Sequence, residues 1–141
     1  MSNLRPVVAI AISFADFASA MAAPGNRQLY GPAPSARVAR SIGETAIRQL
    51  SSGIVTRIEW QRALVRATLT LPNSVALHGW YTCGYVYQQG QDSGLKTRND
   101  FLIMFRNDKL TLLEIGTSEG IDRATAVCNG LAPKGWLTLA D

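Results

Sequence analysis

The sequence predicts an α+β fold, with N-terminal helices, a three-stranded antiparallel meander, and a C-terminal helix packed on the sheet and joined to it by a disulfide. The runs Trp80–Tyr87 and Phe101–Phe105 are rich in aromatic and β-branched residues, and the turn-forming segment Gln-Gln-Gly-Gln-Asp-Ser-Gly separates them. Cys83 lies in the first run, and the second cysteine of the chain, Cys128, lies in a later stretch of helical periodicity. These observations indicate a hairpin braced against a helix.

Composition favours one domain and argues against one class of partner. With 141 residues, 47% of them hydrophobic, the chain is long enough to bury a single core. The net charge is +4, but the basic residues form no run of five or more. We therefore do not expect nucleic acid to be a partner.

The first 22 residues have the features of an export signal. Arg5 supplies a positive charge, Pro6–Ala15 form an apolar run, and Ala20-Met21-Ala22 has the A-x-A form of a cleavage site. The apolar run is too short to cross a bilayer, so no membrane span is expected. A membrane anchor and a buried N-terminal helix are the alternatives. Residues 1–22 are thus predicted to be a signal peptide, and the mature protein to be periplasmic or secreted.

A linker and then a helix are predicted after the signal. Residues 23–34 contain three prolines and two glycines, which predicts a poorly ordered linker. Ser35 is the expected N-cap of the first helix, and residues 35–141 are expected to form the single α+β domain. Apolar residues then recur at helical spacing up to the stop at Ser51-Ser52-Gly53, namely Ala39, Ile42, Ala46 and Leu50.

A second helix is predicted from Thr56 onward. Thr56 and Glu59 have the spacing of a capping box, and Pro72 ends the pattern. The predicted buried stripe consists of Trp60, Ala63, Leu64, Ala67 and Leu71. Arginines lie mainly off this stripe, which favours a solvated helix face over a phosphate or acidic-partner site.

The third strand and the last helix follow the hairpin. A tight turn at Arg106–Lys109 leads into Leu110–Ile115, and such short connections predict a meander. Thr117 or Ser118 is the expected N-cap of the C-terminal helix, and Trp136–Leu139 is expected to add a short edge strand. Residues at helical spacing in this last helix are Ile121, Ala124, Cys128 and Leu131.

A disulfide between Cys83 and Cys128 is predicted from compartment and position. Two cysteines in an exported chain most simply pair, whereas two unpaired cysteines would be equally ordinary in a cytosolic chain. Cys128 lies on the helix face that is expected to pack on the sheet, where a strand cysteine can reach it.

Part of the chain resembles a group of small exported bacterial proteins, a domain of unknown function. The segment LTLPNSVAL from Leu69, then Cys83-Gly84-Tyr85-Val86 and Gly94, is similar to its pattern L-x-D-P-x-S-A, C-G-x-V-N-x-x-N, a glycine-containing loop and a Phe-bearing strand. The resemblance covers about Ala63–Phe105, and Cys128 resembles the later cysteine of that group. This chain departs from the pattern where Leu71 replaces Asp and where Tyr87 and Gly90 replace Asn. The resemblance implies no activity.

The sequence offers no set of catalytic, metal-binding or cofactor-binding residues. His78 is the only histidine, nucleotide-binding glycine motifs are absent, and no spacing of acidic residues indicates a catalytic pair. A Cys83–His78 nucleophile pair is conceivable, but a disulfide would remove the thiolate. The tyrosines and tryptophan of the hairpin are more often core residues than a stacking platform.

We therefore expect a binding or interaction module of the cell envelope, with a small periplasmic or secreted hydrolase as the alternative. The polar loop Gln88–Arg98 lies on a braced hairpin, an arrangement that commonly presents a binding site. Tyr87, Lys96 and Arg98 are the predicted binding residues. Their chemistry suits an acidic partner, either an envelope protein or an anionic polymer.

Overall fold

The computed structural model describes residues 25–117 and 120–140, so the predicted signal peptide, residues 1–22, lies outside the described residues. The helices are α1 Gly25–Tyr30, α2 Ala36–Leu50 and α3 Arg123–Cys128. The strands are β1 Ile54–Trp60, β2 Val65–Leu69, β3 Leu77–Gln89, β4 Lys96–Arg106, β5 Lys109–Ile115 and β6 Leu137–Leu139. None of the helices in the described ranges is long and apolar enough to cross a membrane.

The strands form one curled, six-stranded antiparallel sheet centred on β3. Its order is β5-β4-β3-β2-β6, and β1 pairs with β3 as well. One edge of β3 pairs with β4, whereas the other edge is shared, with β2 beside Leu77–Tyr81 and β1 beside Gly84–Gln89. Between β1 and β2, residues 61–64 leave the edge of β3 opposite Thr82 and Cys83, and we call this four-residue excursion the bulge. The hydroxyl of Thr82 donates to the carbonyl of Arg62 at 2.8 Å and so fixes this bulge.

The predicted three-stranded meander with packed helices is therefore wrong, and so is the second helix. The predicted helix is β1, the bulge and β2. Thr56 does not cap a helix; its hydroxyl donates to the carbonyl of Tyr87 across the β1–β3 pair. Ile58 and Trp60 of β1 pack inward, and Arg57 and Glu59 are exposed, which is the alternation of a half-buried strand.

Each main helix covers a different face of the sheet. Alternate residues of β3 point to opposite faces, and we call the face that carries Val86 the α2 face and the face that carries Cys83 the α3 face. Val86 shares one apolar cluster with Ile47 of α2, and Cys83 shares the other with Val127 of α3. Gly43 lets α2 approach closely, because a Cβ there would lie 2.6 Å from the Trp60 ring.

The two apolar clusters lie on opposite faces at β1 and at β2. Ile58 and Trp60 of β1 belong to the cluster beneath α2, whereas Ala67 and Leu69 of β2 belong to the cluster beneath α3. The buried side of the chain thus changes at the bulge. It follows that the α3 face at β1 and the α2 face at β2 carry polar residues.

The segment predicted to be a linker, residues 23–34, contains α1 and packs on the sheet. Tyr30 is buried, and its ring meets the edge of the His78 ring at a centroid distance of 6.0 Å. The indole N–H of Trp80 donates to the carbonyl of Gly31 at 3.0 Å. The Arg106 guanidinium donates to the carbonyls of Gln28 and Leu29. These contacts fix the segment against the α2 face.

The last helix is shorter than predicted and starts later. Its N-cap is Asp122 rather than Thr117, and Ser118, the other predicted cap, lies outside the described residues. Partial burial raises the pKa of the Asp122 carboxyl, but hydrogen bonds from the backbone N–H groups of Thr125 and Thr117 outweigh this effect and leave the pKa below its ordinary value. Ionised Asp122 therefore holds the start of α3.

The predicted disulfide and edge strand are confirmed. Cys83 and Cys128 are bonded, with their Cα atoms 5.7 Å apart, and join β3 to α3. β6 pairs with β2 where Trp136–Leu139 was predicted to add an edge strand. The disulfide is compatible with an oxidising, exported location.

Candidate functional site

The open part of the α3 face at β1 carries an aromatic and charged surface. Tyr85 and Tyr87 follow Cys83 on this face and remain partly exposed. Across the strand pairs, Glu59 lies opposite Tyr85, and Arg57 lies opposite Tyr87. On the other side, Asp100 lies opposite Tyr85 and Arg98 opposite Tyr87. We call the surface formed by Arg57, Glu59, Tyr85, Tyr87, Lys96 and Arg98 the tyrosine–arginine face.

Two arginines of this surface lie over the tyrosine rings. The Arg57 guanidinium carbon is 4.1 Å from the Tyr87 ring centroid, and that of Arg98 is 4.5 Å from the Tyr85 ring centroid. The Tyr87 hydroxyl donates to the Glu59 carboxylate at 3.2 Å, and Arg57 pairs with the same carboxylate at 3.3 Å. Long arginine side chains are thereby held in place before any partner arrives.

All three predicted binding residues meet in one cleft. Tyr87, Lys96 and Arg98 line a cavity of about 380 Å³ together with neighbouring residues of β1, β3 and β4. In the part of the chain that the structure describes, no aspartate or glutamate lines it. The cleft therefore combines two cationic side chains with an aromatic ring.

The surrounding loop is shorter than the predicted Gln88–Arg98. Both strands extend further than their aromatic runs, so that only residues 90–95 connect them, and Lys96 and Arg98 belong to β4. The backbone N–H of Gly90 donates to the carbonyl of Leu95 at 2.9 Å, and Gly94 adopts a φ of 65°. The cations are thus presented by a strand rather than by a loop tip.

Sequence reasoning missed the contribution of β1 to this surface. The pattern from Thr56 onward predicts a helix that includes Arg57 and Glu59, and in a helix these residues would not face the tyrosines. The signal that identifies them is the alternation of exposed and inward residues through Arg57-Ile58-Glu59-Trp60. The aromatic residues of the hairpin do not form one stacking platform. Tyr81 is buried in the core, and Trp80 lies on the α2 face, away from Tyr85 and Tyr87.

The fold keeps the two residues of the candidate nucleophile pair, Cys83 and His78, apart. His78 lies on the α2 face, where its Nδ1 is 2.8 Å from the hydroxyl of Thr68, whereas Cys83 is in the disulfide. A Cys83–His78 nucleophile pair is therefore excluded. Within residues 25–117 and 120–140 there is also no group of three or more His, Cys, Asp or Glu residues placed to hold a metal ion.

No protein-family model, curated protein or solved structure matches this chain. The resemblance of residues 63–105 to exported bacterial proteins of unknown function therefore stays a prediction.

Proposed function

We propose that this protein is an exported binding module, periplasmic or secreted, whose tyrosine–arginine face holds an acidic surface of a partner protein. The observation that carries the proposal is the cleft that Tyr87, Lys96 and Arg98 line, in which none of the described lining residues carries a carboxylate. Cationic groups beside an aromatic ring on an open strand pair suit an acidic partner.

Residue types on this face support a protein partner. Tyrosine and arginine are enriched at the centre of protein interfaces and at the positions that dominate binding energy. Two of the arginines already rest on tyrosine rings, so less side-chain entropy is lost when a partner binds. A face that is already ordered binds more tightly than one that must be assembled.

The exposed charges favour an acidic partner. Glu59 already accepts from Tyr87 and from Arg57, and Asp100 is partly buried, whereas Lys96 and Arg98 are exposed on β4. Charge attraction across an exposed surface accelerates association and weakens as salt screens it. We therefore expect binding that is tighter at low ionic strength.

The proposed location rests on the signal features of residues 1–22 and on the disulfide. Export would remove the N-terminus near Ala22. Mass spectrometry of the protein from its native host tests this, because an intact Met1 in a cytoplasmic fraction would contradict export.

No observation on the described residues supports the alternative function, a hydrolase. The one histidine lies on the opposite face of the sheet from Cys83 and contacts Thr68 and Tyr30 instead. A nucleophile with an adjacent base is the usual requirement for acyl transfer, and these two residues do not provide it.

A capture experiment tests the proposed function. Mature, disulfide-bonded protein is immobilised, and envelope proteins that it retains at low and high salt are identified after cross-linking. The double variant Lys96→Ala/Arg98→Ala is expected to lose the retained partner, and the wild type to release it at high salt.

The matched control is Lys109→Ala/Lys134→Ala, which removes two exposed lysines away from the face. It should retain the partner as the wild type does. Equal retention by the wild type and Lys96→Ala/Arg98→Ala, with no dependence on salt, would show that this face is not the contact surface.

A further inference from the structure

A second open region lies on the α2 face, beside Trp80. Two adjoining cavities, of about 730 Å³ and about 500 Å³, are both lined by Trp80 and by Ala33. They run between the segment after α1 and the bulge at residues 61–64. We call them together the arginine groove, because Arg66 and Arg106 line one cavity and Arg40 and Arg62 line the other.

Among the described residues, the charged side chains that line the groove are all cationic. No aspartate or glutamate from residues 25–117 or 120–140 lines either cavity. The N-terminal end of α2, which has no acidic residue in its first turn, adjoins the second cavity and adds to the positive potential. Like charges gathered in a cleft concentrate a ligand of opposite charge.

The four arginines of the groove differ in whether their side chains already contact the protein. Arg106 donates to the carbonyls of α1, and the Arg66 guanidinium lies 6.0 Å from the Trp80 ring centroid, so both help to build the groove walls. Arg40 and Arg62 are exposed, and in the described part of the chain their side chains make no hydrogen bond or ion pair. These two guanidinium groups are available to a ligand.

The bulge places Arg62 at the groove. The buried hydroxyl of Thr82 bonds the Arg62 carbonyl, and the backbone N–H of Gln61 donates to the carbonyl of Cys83 at 3.0 Å. Bulges commonly redirect side chains at binding sites. Here a buried polar contact holds an exposed cation at the edge of a cavity.

We infer that the arginine groove binds an acidic oligosaccharide. The groove lies on a sheet face where β3 is paired on both edges, so a ligand must be recognised by side chains and not by strand addition. Guanidinium groups pair with carboxylates, and the half-buried indole of Trp80, which lines both cavities, provides apolar surface for a sugar ring. Cavities on either side of Trp80 suit an extended chain of acidic sugars.

Two other polyanions carry some of this chemistry. An acidic peptide offers carboxylates without a ring. A single-stranded nucleic acid offers both rings and phosphates, but the disulfide is compatible with an exported location, where such a ligand is not expected. The saccharide is therefore the ligand class that fits both the groove and the compartment.

Calorimetry and tryptophan fluorescence on the full, disulfide-bonded chain test the inference. The probes are hexagalacturonate, neutral maltohexaose, hexaglutamate and a six-residue oligothymidylate. Hexagalacturonate is expected to bind with a fluorescence change and maltohexaose not to bind. The variant Arg40→Gln/Arg62→Gln should weaken the binding of hexagalacturonate by about tenfold or more.

The matched control Arg37→Gln/Lys134→Gln removes the same charge from exposed positions outside the groove and should change affinity less than about twofold. Equal binding of maltohexaose, tighter binding of either hexaglutamate or oligothymidylate, no binding of hexagalacturonate, or unchanged affinity in Arg40→Gln/Arg62→Gln would each overturn the inference. The tyrosine–arginine face is intact in both variants, so this test is independent of the function proposed above.

Discussion

The Arg57 guanidinium rests 4.1 Å from the centroid of the Tyr87 ring, its direct partner across β1 and β3. Both residues also contact the Glu59 carboxylate, so three side chains from two strands hold one another. These three side chains are thus in mutual contact while they remain at least partly exposed.

Variants of Tyr87 separate the ring from its hydroxyl. Tyr87→Phe keeps the ring beneath Arg57 and loses only an exposed hydrogen bond, so the free energy of unfolding should fall by less than about 0.5 kcal/mol. Tyr87→Ala loses the cross-strand contact as well and should lower it by about 1 kcal/mol. Urea unfolding measures both values. Equal losses in the two variants would contradict a stacking role for the ring.

The disulfide should provide much of the stability of the domain. It closes a sequence separation of 45 residues, and Cys83→Ala/Cys128→Ala should therefore lower the free energy of unfolding by about 4 kcal/mol in the chain-entropy model. Denaturant unfolding with and without a reducing agent measures the effect. The reducing agent should destabilise the wild type and leave the double variant unchanged. A wild type insensitive to complete reduction would contradict the prediction.

Asp122 should make the free energy of unfolding depend on pH in the acid range. Its pKa is lower in the folded state than the ordinary 3.8, so its ionised form contributes stability above that pH, and the contribution is lost as pH falls through the folded-state pKa. Asp122→Asn keeps a capping oxygen but not the charge. Wild type should exceed Asp122→Asn in stability at neutral pH and match it in strong acid.

A further variant separates the cap from the charge at this position. Asp122→Ala removes both, and it should cost about 1 kcal/mol of stability at neutral pH. Thermal unfolding across a pH series measures all three proteins. A constant difference between wild type and Asp122→Asn at every pH would contradict the linkage.

Gly43→Ala should destabilise the domain although alanine favours helices. Its methyl group would lie 2.6 Å from the rigid Trp60 ring and 2.9 Å from Ile103. Overpacking of about 1–3 kcal/mol should exceed the gain of about 1 kcal/mol in helix propensity. Ser41→Ala, at an exposed position of the same helix, is the control and should not destabilise. Greater stability of Gly43→Ala by urea unfolding would contradict the close contact.

The sequence predicted local features better than the architecture. Ser35 caps α2 as expected, and the hairpin and the disulfide are present. The main error was the second helix. Its apolar residues follow helical spacing because the buried face changes between β1 and β2, so Trp60 packs under α2 and Ala67 under α3. The buried face changes because the two helices pack on opposite sides of the sheet. The periodicity of one segment carries no information about where distant helices pack.

The candidate site was predictable only in part. Tyr87, Lys96 and Arg98 were identified from a polar segment beside an aromatic run, and the structure brings them to one cleft. Arg57 and Glu59 depend on the pairing of β1 with β3, a contact between residues about 28 positions apart in the chain. The arginine groove also depends on long-range packing, because α1, α2 and the bulge all contribute to it.

The division of one edge of β3 between two short strands has a consequence for how the protein can diversify. β1 and β2 each take their register from β3, so residues inserted at the exposed Ala63 would lengthen a surface excursion without displacing either ladder. Such insertions would reshape the groove beside Trp80 and leave Arg57 and Tyr87 in place. The two surfaces are thus free to evolve separately on one scaffold, and the bulge is a suitable point for grafting a new recognition loop.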